Sequence, residues 1–290
     1  VEVEALLSGP EGYDDDVPVD PNFHVRRLPE AVVRGSGCPA EIAQVVQVHR
    51  LRETQALVGF SRLEPVLPDI HGEYAANVAR APLAREASWF PAVENRGEGL
   101  FVQLEPGAVE GWMGRAGVRR RIQALREGHE RHYGERRVPR VPEFPDGPYL
   151  LLHTLSHLLI QSVSLRCGYP ASSIRERIYV HSPSRRYGIL LFTASPDAEG
   201  TLGGLVQQAR RLGEHLAFAR RAAALCSNDP ICAGHDPLDT HQHRWLHGAA
   251  CHGCLLISET SCEMRNEYLD RALLVPVMGL EDAAFFAELA

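Results

Sequence analysis

Five of the chain's seven cysteines fall between Cys226 and Cys262, and their spacing is the tightest constraint in the sequence. Cys226 and Cys232 enclose five residues, eighteen more lead to Cys251-His252-Gly253-Cys254, and Cys262 follows after another seven. A C-x2-C turn lets two thiolates bind one ion, and two such cysteine turns joined by a loop are the usual layout of a tetrahedral zinc site. Cysteines that supply most or all of the ligands leave no position for a catalytic water, so the expected zinc is structural. Cys251, Cys254 and Cys262 form the core of the predicted ligand set, with Cys226 or Cys232 completing it. The histidines of the same loop, His235, His241, His243, His247 and His252, are candidate substitutes. Buried or disulfide-bonded thiols and a redox C-x-x-C are the alternatives, although a redox pair would open a helix after a strand. Cys38 and Cys167 stand apart and read as ordinary buried thiols.

All 30 basic residues are Arg; the 290 residues contain no Lys. That excludes from this stretch a P-loop, which needs its Lys on the phosphates, the strand Lys of a protein kinase, and Schiff-base chemistry. The net charge of −7 disfavours indiscriminate nucleic-acid binding. Its distribution is uneven, however: residues 1–20 carry seven acids and no base, whereas residues 115–140 carry nine Arg against three Glu. Arg119-Arg120-Arg121, together with Arg50, Arg52, Arg62 and Arg96, are the candidate phosphate contacts. No run of apolar residues is long enough to span a bilayer. The chain begins at Val1 without a leader pattern, and reads as a fragment, a processed product or one half of a longer protein.

Patterning predicts an α+β fold, a mixed short-strand N-terminal half followed by a helix-rich zinc-binding domain. Residues 1–41 form an acidic, irregular lead-in, in which Tyr13-Asp14-Asp15-Asp16 reads as a solvated loop. Residues 42–146 hold short strands around Val46/Val48, Ala56–Phe60 and Leu100–Leu104, then an Arg-rich helix. Pro139, Pro142, Pro145 and Pro148 mark the boundary. Residues 147–290 form the cysteine-rich zinc-binding domain. It opens with a helix at 150–165 that is apolar almost all round and therefore buried. Two strands follow near 178–180 and 188–193, then a helix with its stripe at Leu205, Ala209, Leu212, Leu216, Ala219 and Ala223, and a last helix near 263–274. His153 and His157 share one face of the first helix. Without an H-E-x-x-H frame they read as core histidines before they read as a ligand pair. The glycine-rich turn at 197–204 reads as a strand–helix connection.

The second half resembles the zinc-binding module at the C-termini of MrfA-type superfamily-2 helicases. The resemblance is carried by His153-Thr-Leu-Ser-His-Leu-Leu-Ile160, Gly200-Thr-Leu-Gly-Gly204 and the run Cys251-His-Gly-Cys254 to Cys262. Further phrases resemble the DrmB family of the DISARM anti-phage system, which carries this module without a helicase of its own. They are Arg50-Leu51-Arg52-Glu53, Trp89-Phe-Pro-Ala-Val-Glu94, Cys226-Ser-Asn-Asp-Pro-Ile-Cys232, and Glu259-Thr-Ser-Cys262 with Leu269-Asp270-Arg271. The likeness runs over roughly residues 42–275 and matches the C-terminal half of such a protein. It implies a non-enzymatic, cytoplasmic accessory subunit with a structural Zn2+, partnering a separate superfamily-2 helicase (DrmA-like) in recognising invading DNA. A zinc-dependent hydrolase or nuclease built on His153, His157 or the loop histidines is the competing expectation. A regulatory module without nucleic-acid contact is a third.

Overall fold

The structure, a computed structural model, describes residues 2–12, 20, 22–60, 79–80, 89–136, 141–193, 204–241 and 244–287. Its centre is an antiparallel five-stranded sheet. The strands are β1 (Phe23–Arg27), β2 (Ile42–Ala56), β5 (Ala92–Leu104), β6 (Ile174–His181) and β7 (Arg186–Thr193), in the order β1-β2-β5-β7-β6. A separate two-stranded pair joins β3 (Gly59–Phe60) to β4 (Ala79–Arg80). The sheet draws strands from both sides of the proline-rich stretch at 139–148, because β5 pairs with β7.

β5 is buried without interruption from Leu100 to Leu104, which identifies it as a central strand covered on both faces. On one face Val45, Leu100, Val102, Leu104, Ile189 and Leu191 pack into the main core. On the other, Val46, Val48, Phe101, Leu190 and Phe192 form a smaller cluster capped by Leu6 of α1 (Glu2–Leu7). The first 41 residues, expected to be irregular, thus contribute α1, β1 and α2 (Glu30–Gly35). β2 and β5 also run much longer than their apolar alternation indicates. Their outer ends, residues 52–56 and 92–96, pair as a largely exposed two-stranded ribbon. Backbone hydrogen bonds sustain such a ribbon with no apolar face to announce it in the sequence.

α3 (Pro106–Met113) leads into α4 (Ala116–Arg136), whose buried stripe is Val118, Arg121, Ile122, Leu125 and His129. α5 (Gly147–Cys167) is the helix expected to be apolar all round. Asp146 caps its first turn, accepting from the Gly147 N–H, and Gly168 ends it at φ 73°, a left-handed position that glycine occupies without a Cβ clash. Leu150, Leu151, Leu152, Leu155, Leu158, Leu159 and Ile160 are fully enclosed between the sheet, the helix at Leu212–Ala224 and the C-terminal segment. The stripe from Leu205 to Ala223 is buried as expected, but a 3-10 turn at Ala209–Arg211 divides it into α6 (Gly204–Gln208) and α7 (Leu212–Ala224).

Beyond α7, the described residues hold only turns and short 3-10 segments. The helix expected near 263–274 is replaced by turns and one 3-10 turn at Arg271–Leu273. Arg265, Asn266 and Tyr268 all have positive φ there, which a right-handed helix cannot accommodate. Among the described residues no helix is long and apolar enough to cross a membrane. The Asp14–Asp16 loop, Arg62, Pro139, His243 and most of the glycine-rich turn at 197–204 lie outside the described residues.

Candidate metal centre

The 226–232 loop is tied across its base by Asp229. One carboxylate oxygen accepts from the Cys226 N–H (3.0 Å) and the other from the Ala233 N–H (3.0 Å). The Cys232 N–H returns to the Asn228 carbonyl at 3.0 Å, so the two cysteines face the same way. On the facing loop, the Cys254 and Leu255 N–H groups both reach back to the Cys251 carbonyl, and the Cys251 N–H points at the Cys254 sulfur (3.3 Å). A Cβ at Gly253 would lie 2.8 Å from Ser227 Oγ, which would have to turn aside, and 3.5 Å from Cys226 Sγ, so the two loops approach closely at this glycine.

The sulfurs of Cys226, Cys232, Cys251 and Cys254 lie within 4.8 Å of one another. The pairs 226–251, 251–254 and 232–254 are 3.4, 3.7 and 3.8 Å apart. A tetrahedron with Zn–S bonds of about 2.3 Å has edges of about 3.8 Å, so the donor set fits a zinc ion with little rearrangement. No cysteine is in a disulfide. The electrostatics favour a thiolate at one corner: the Cys254 hydrogen bond, then against burial the Cys251 hydrogen bond and the Arg271 charge, pull Cys232 down to about 5. That same contact with Cys232, with burial, pushes Cys254 up. Arg271 is fully buried, donates to the Ala223 carbonyl (2.9 Å) and pairs with Asp229. Burial opposes its charge, but Cys232 and Asp229 outweigh burial and hold it protonated. Four thiolates around a divalent ion leave an excess of two negative charges, and Arg271 offsets part of it.

Cys262 is not in this group. After Leu255 the chain follows α5, with the Leu255 carbonyl on His157 Nδ1 (2.9 Å) and Ser261 Oγ donating to Ala171 (2.8 Å). That course brings Cys262 Sγ to 3.0 Å from His153 Nε2. The expected trio of Cys251, Cys254 and Cys262 is therefore divided, and Cys226 and Cys232 are both present where one was expected. Spacing alone cannot tell a cysteine eight residues downstream that turns back from one that continues. None of the described loop histidines joins the four sulfurs. His235, for example, is buried against the Arg244 carbonyl at 3.0 Å, and His252 is exposed. Cys38 is buried and Cys167 half-buried, and burial raises both thiols.

The arginines separate by environment. Arg50 is exposed on β2, opposite His24 of β1. Arg52 and Arg96 stand opposite each other across β2 and β5, and Glu94 bridges them at 2.6 and 2.9 Å. On α4, Arg120 is exposed and paired with Asp282, and exposed Arg119 returns to the Gly114 carbonyl. Arg121 is different: its side chain is 6% exposed and sits 2.6 Å from the buried Asp270 carboxylate. It joins α4 to the C-terminal segment and offers no surface to a phosphate. Asp270 also accepts from the Ala249 and Ala272 N–H groups, and its own N–H donates to Thr154 on α5. The sequence reading missed Asp270 and Glu176. Glu176 had a signal, an acid between Ile174 and Ile178 on the inward face of β6.

Two comparisons bear on this geometry. Residues 155–255 match the family model of the MrfA Zn-binding domain, a span that ends one residue after Cys254 and leaves out Cys262. The chain is also 34% identical over 245 residues to the DISARM protein DrmB of Bacillus paralicheniformis. That alignment takes in 84% of the chain and 42% of the relative, so the chain spans less than half the length of the protein it matches. The α+β chain thus contains a MrfA Zn-binding domain whose four-cysteine cluster marks a structural zinc site, within a sequence that is similar to DrmB along most of its length.

Proposed function

We propose that the chain acts in anti-phage defence as a non-enzymatic, cytoplasmic accessory subunit, partnering a superfamily-2 helicase in recognising or processing invading DNA. The observation that carries this reading is its 34% identity to the DISARM protein DrmB in an alignment that covers 84% of the chain. In this reading Cys226, Cys232, Cys251 and Cys254 hold the zinc, which braces the loops at the end of α7. Arg50, Arg52, Arg96, Arg119 and Arg120 face the DNA backbone; Arg121 is set aside because its charge is committed to Asp270.

Co-expression with a superfamily-2 helicase from the same genome tests the partnership. Co-elution on gel filtration with altered DNA-stimulated ATPase supports it, whereas separate peaks and unchanged ATPase overturn it. Within a DNA-binding complex, Arg52→Ala should weaken binding similarly across sequences and lower the salt slope by about one unit. An unchanged slope removes Arg52 from the interface.

A further inference from the structure

His153 and His157 of α5, Glu176 of β6 and Cys262 of the C-terminal segment converge at a point sealed from solvent, with the side chains of His153, His157 and Glu176 all at 0% exposure and Cys262 buried. One donor atom from each lies within 4.8 Å of the others. His153 Nε2 is 3.1 Å from Glu176 Oε1 and 3.0 Å from Cys262 Sγ; His157 Nε2 is 3.5 Å from the same carboxylate oxygen. Tetrahedral zinc bound by nitrogen and oxygen at about 2.0–2.1 Å and sulfur at about 2.3 Å gives ligand–ligand edges of about 3.3–3.5 Å. From these positions we infer that the protein holds a second structural zinc ion, bound by His153, His157, Glu176 and Cys262.

The groups around the donors orient them toward one point. His157 Nδ1 faces the Leu255 carbonyl, which can only accept, so in the neutral ring Nδ1 carries the proton and Nε2 presents its lone pair to the cluster. That Nε2 is buried and makes no well-formed hydrogen bond among the described residues. In a neutral ring it would confront a carboxylate oxygen lone pair to lone pair, an arrangement that a cation relieves. Cys262 Sγ accepts from the Met264 N–H (3.3 Å) and the Asn266 N–H (3.1 Å); burial and Glu176 raise this thiol, and the two N–H donors offset part of that rise. Glu176 is fixed by Ser156 Oγ on one oxygen and by the Glu263 N–H (3.1 Å) on the other.

Charge also balances. Two neutral imidazoles, a carboxylate and a thiolate match a divalent ion, so the complex is neutral, as a site with no water contact requires. Nitrogen, oxygen and sulfur donors in this ratio suit zinc, and all four positions come from the protein, which makes the site structural. Its ligands come from α5, β6 and the coil after Cys254. The ion would pin the C-terminal segment to the helix–sheet core at a place separate from the four-cysteine cluster.

The test is elemental analysis together with zinc K-edge X-ray absorption on the full chain. Two zinc ions per chain are expected, with an average shell of five sulfur to three nitrogen or oxygen donors. Cys262→Ser and His157→Gln should each retain one zinc in an all-sulfur shell. Cys251→Ser should retain one zinc in a shell rich in nitrogen and oxygen. One zinc per chain with an all-sulfur shell in the unmodified protein overturns the inference and leaves a proton-shared His–Glu–Cys network; this reading needs no variant to fold. Unchanged zinc content in both Cys262→Ser and His157→Gln overturns it as well.

Discussion

Residues 97–104 of β5 and residues 261–277 of the segment after α7 are both largely buried, yet they reach that state by different means. Residues 97–104 of β5 lie between β2 and β7, so their backbone polar groups are satisfied by the ladder and their side chains fill a core on each face. The segment at 226–287 has no ladder and no α-helix among its described residues. Its backbone is satisfied piecemeal by turns and by carboxylates such as Asp229 and Asp270, while buried Arg271 reaches back to the last carbonyls of α7. Leu269, Leu273, Leu274, Phe285 and Phe286 still pack into the core, but local propensity does not hold them there. The contrast shows why one part of the chain carries the cysteines: a segment without regular structure needs cross-links that act through side chains, and metal–thiolate bonds supply them.

The sharpest way to break the comparison is to remove the metal from one side of it. Cys251→Ser, or chelation, should strip protection from amide exchange across 226–287 while β2, β5 and β7 stay protected. Structural zinc in small modules is worth on the order of 10–16 kcal/mol of apparent binding free energy at neutral pH, which makes this the largest effect. An even loss of protection over both regions would show that the sheet depends on the metal too.

Next come the links between the regions. Arg121→Met leaves Asp270 as an unpaired buried charge and should cost about 3–5 kcal/mol in denaturant unfolding. Arg120→Ala, one residue away, removes an exposed pair with Asp282 and should cost at most about 1 kcal/mol. Equal losses would contradict the assignment of Arg121 to the interior. Within the sheet–helix core, Leu152→Ala should cost about 2–5 kcal/mol and leave the zinc content unchanged. A loss of zinc there would mean that the two regions unfold together.

The smallest effect is a pH dependence on the helix side. His215 of α7 is buried between Ser162 Oγ (2.8 Å) and Gln208 Oε1 (2.9 Å), and burial, aided by the Arg166 and Arg211 charges, lowers it from 6.5 to about 4. The unfolded chain then binds the proton first as pH falls. The contribution of neutral His215 is complete above about pH 6.5 and is lost progressively toward about 4. The stability difference between the unmodified protein and His215→Gln should narrow across that window; a constant difference would remove His215 from the pH response.

Much of this architecture was legible in one dimension because it rests on local repetition. The uniformly apolar run that became α5, the stripe from Leu205 to Ala223 and the hairpin of β6 and β7 are set by side-chain periodicity, which sequence displays directly. The exposed ribbon of β2 and β5 was not legible because backbone pairing holds it without an apolar face. Of the cysteines, the sequence declared that a thiolate cluster exists, since so many thiols so close together have few other uses. Which sulfurs meet was decided by the path of the chain after Leu255, where contacts with α5 carry Cys262 away from Cys254. The same holds for His153, His157 and Glu176, and for Arg121, whose partner Asp270 is 149 residues distant. Residue type and spacing determined which chemistry the chain can perform. Only the packing of α4, α5 and β6 against a coil with no periodicity of its own determined where that chemistry is assembled.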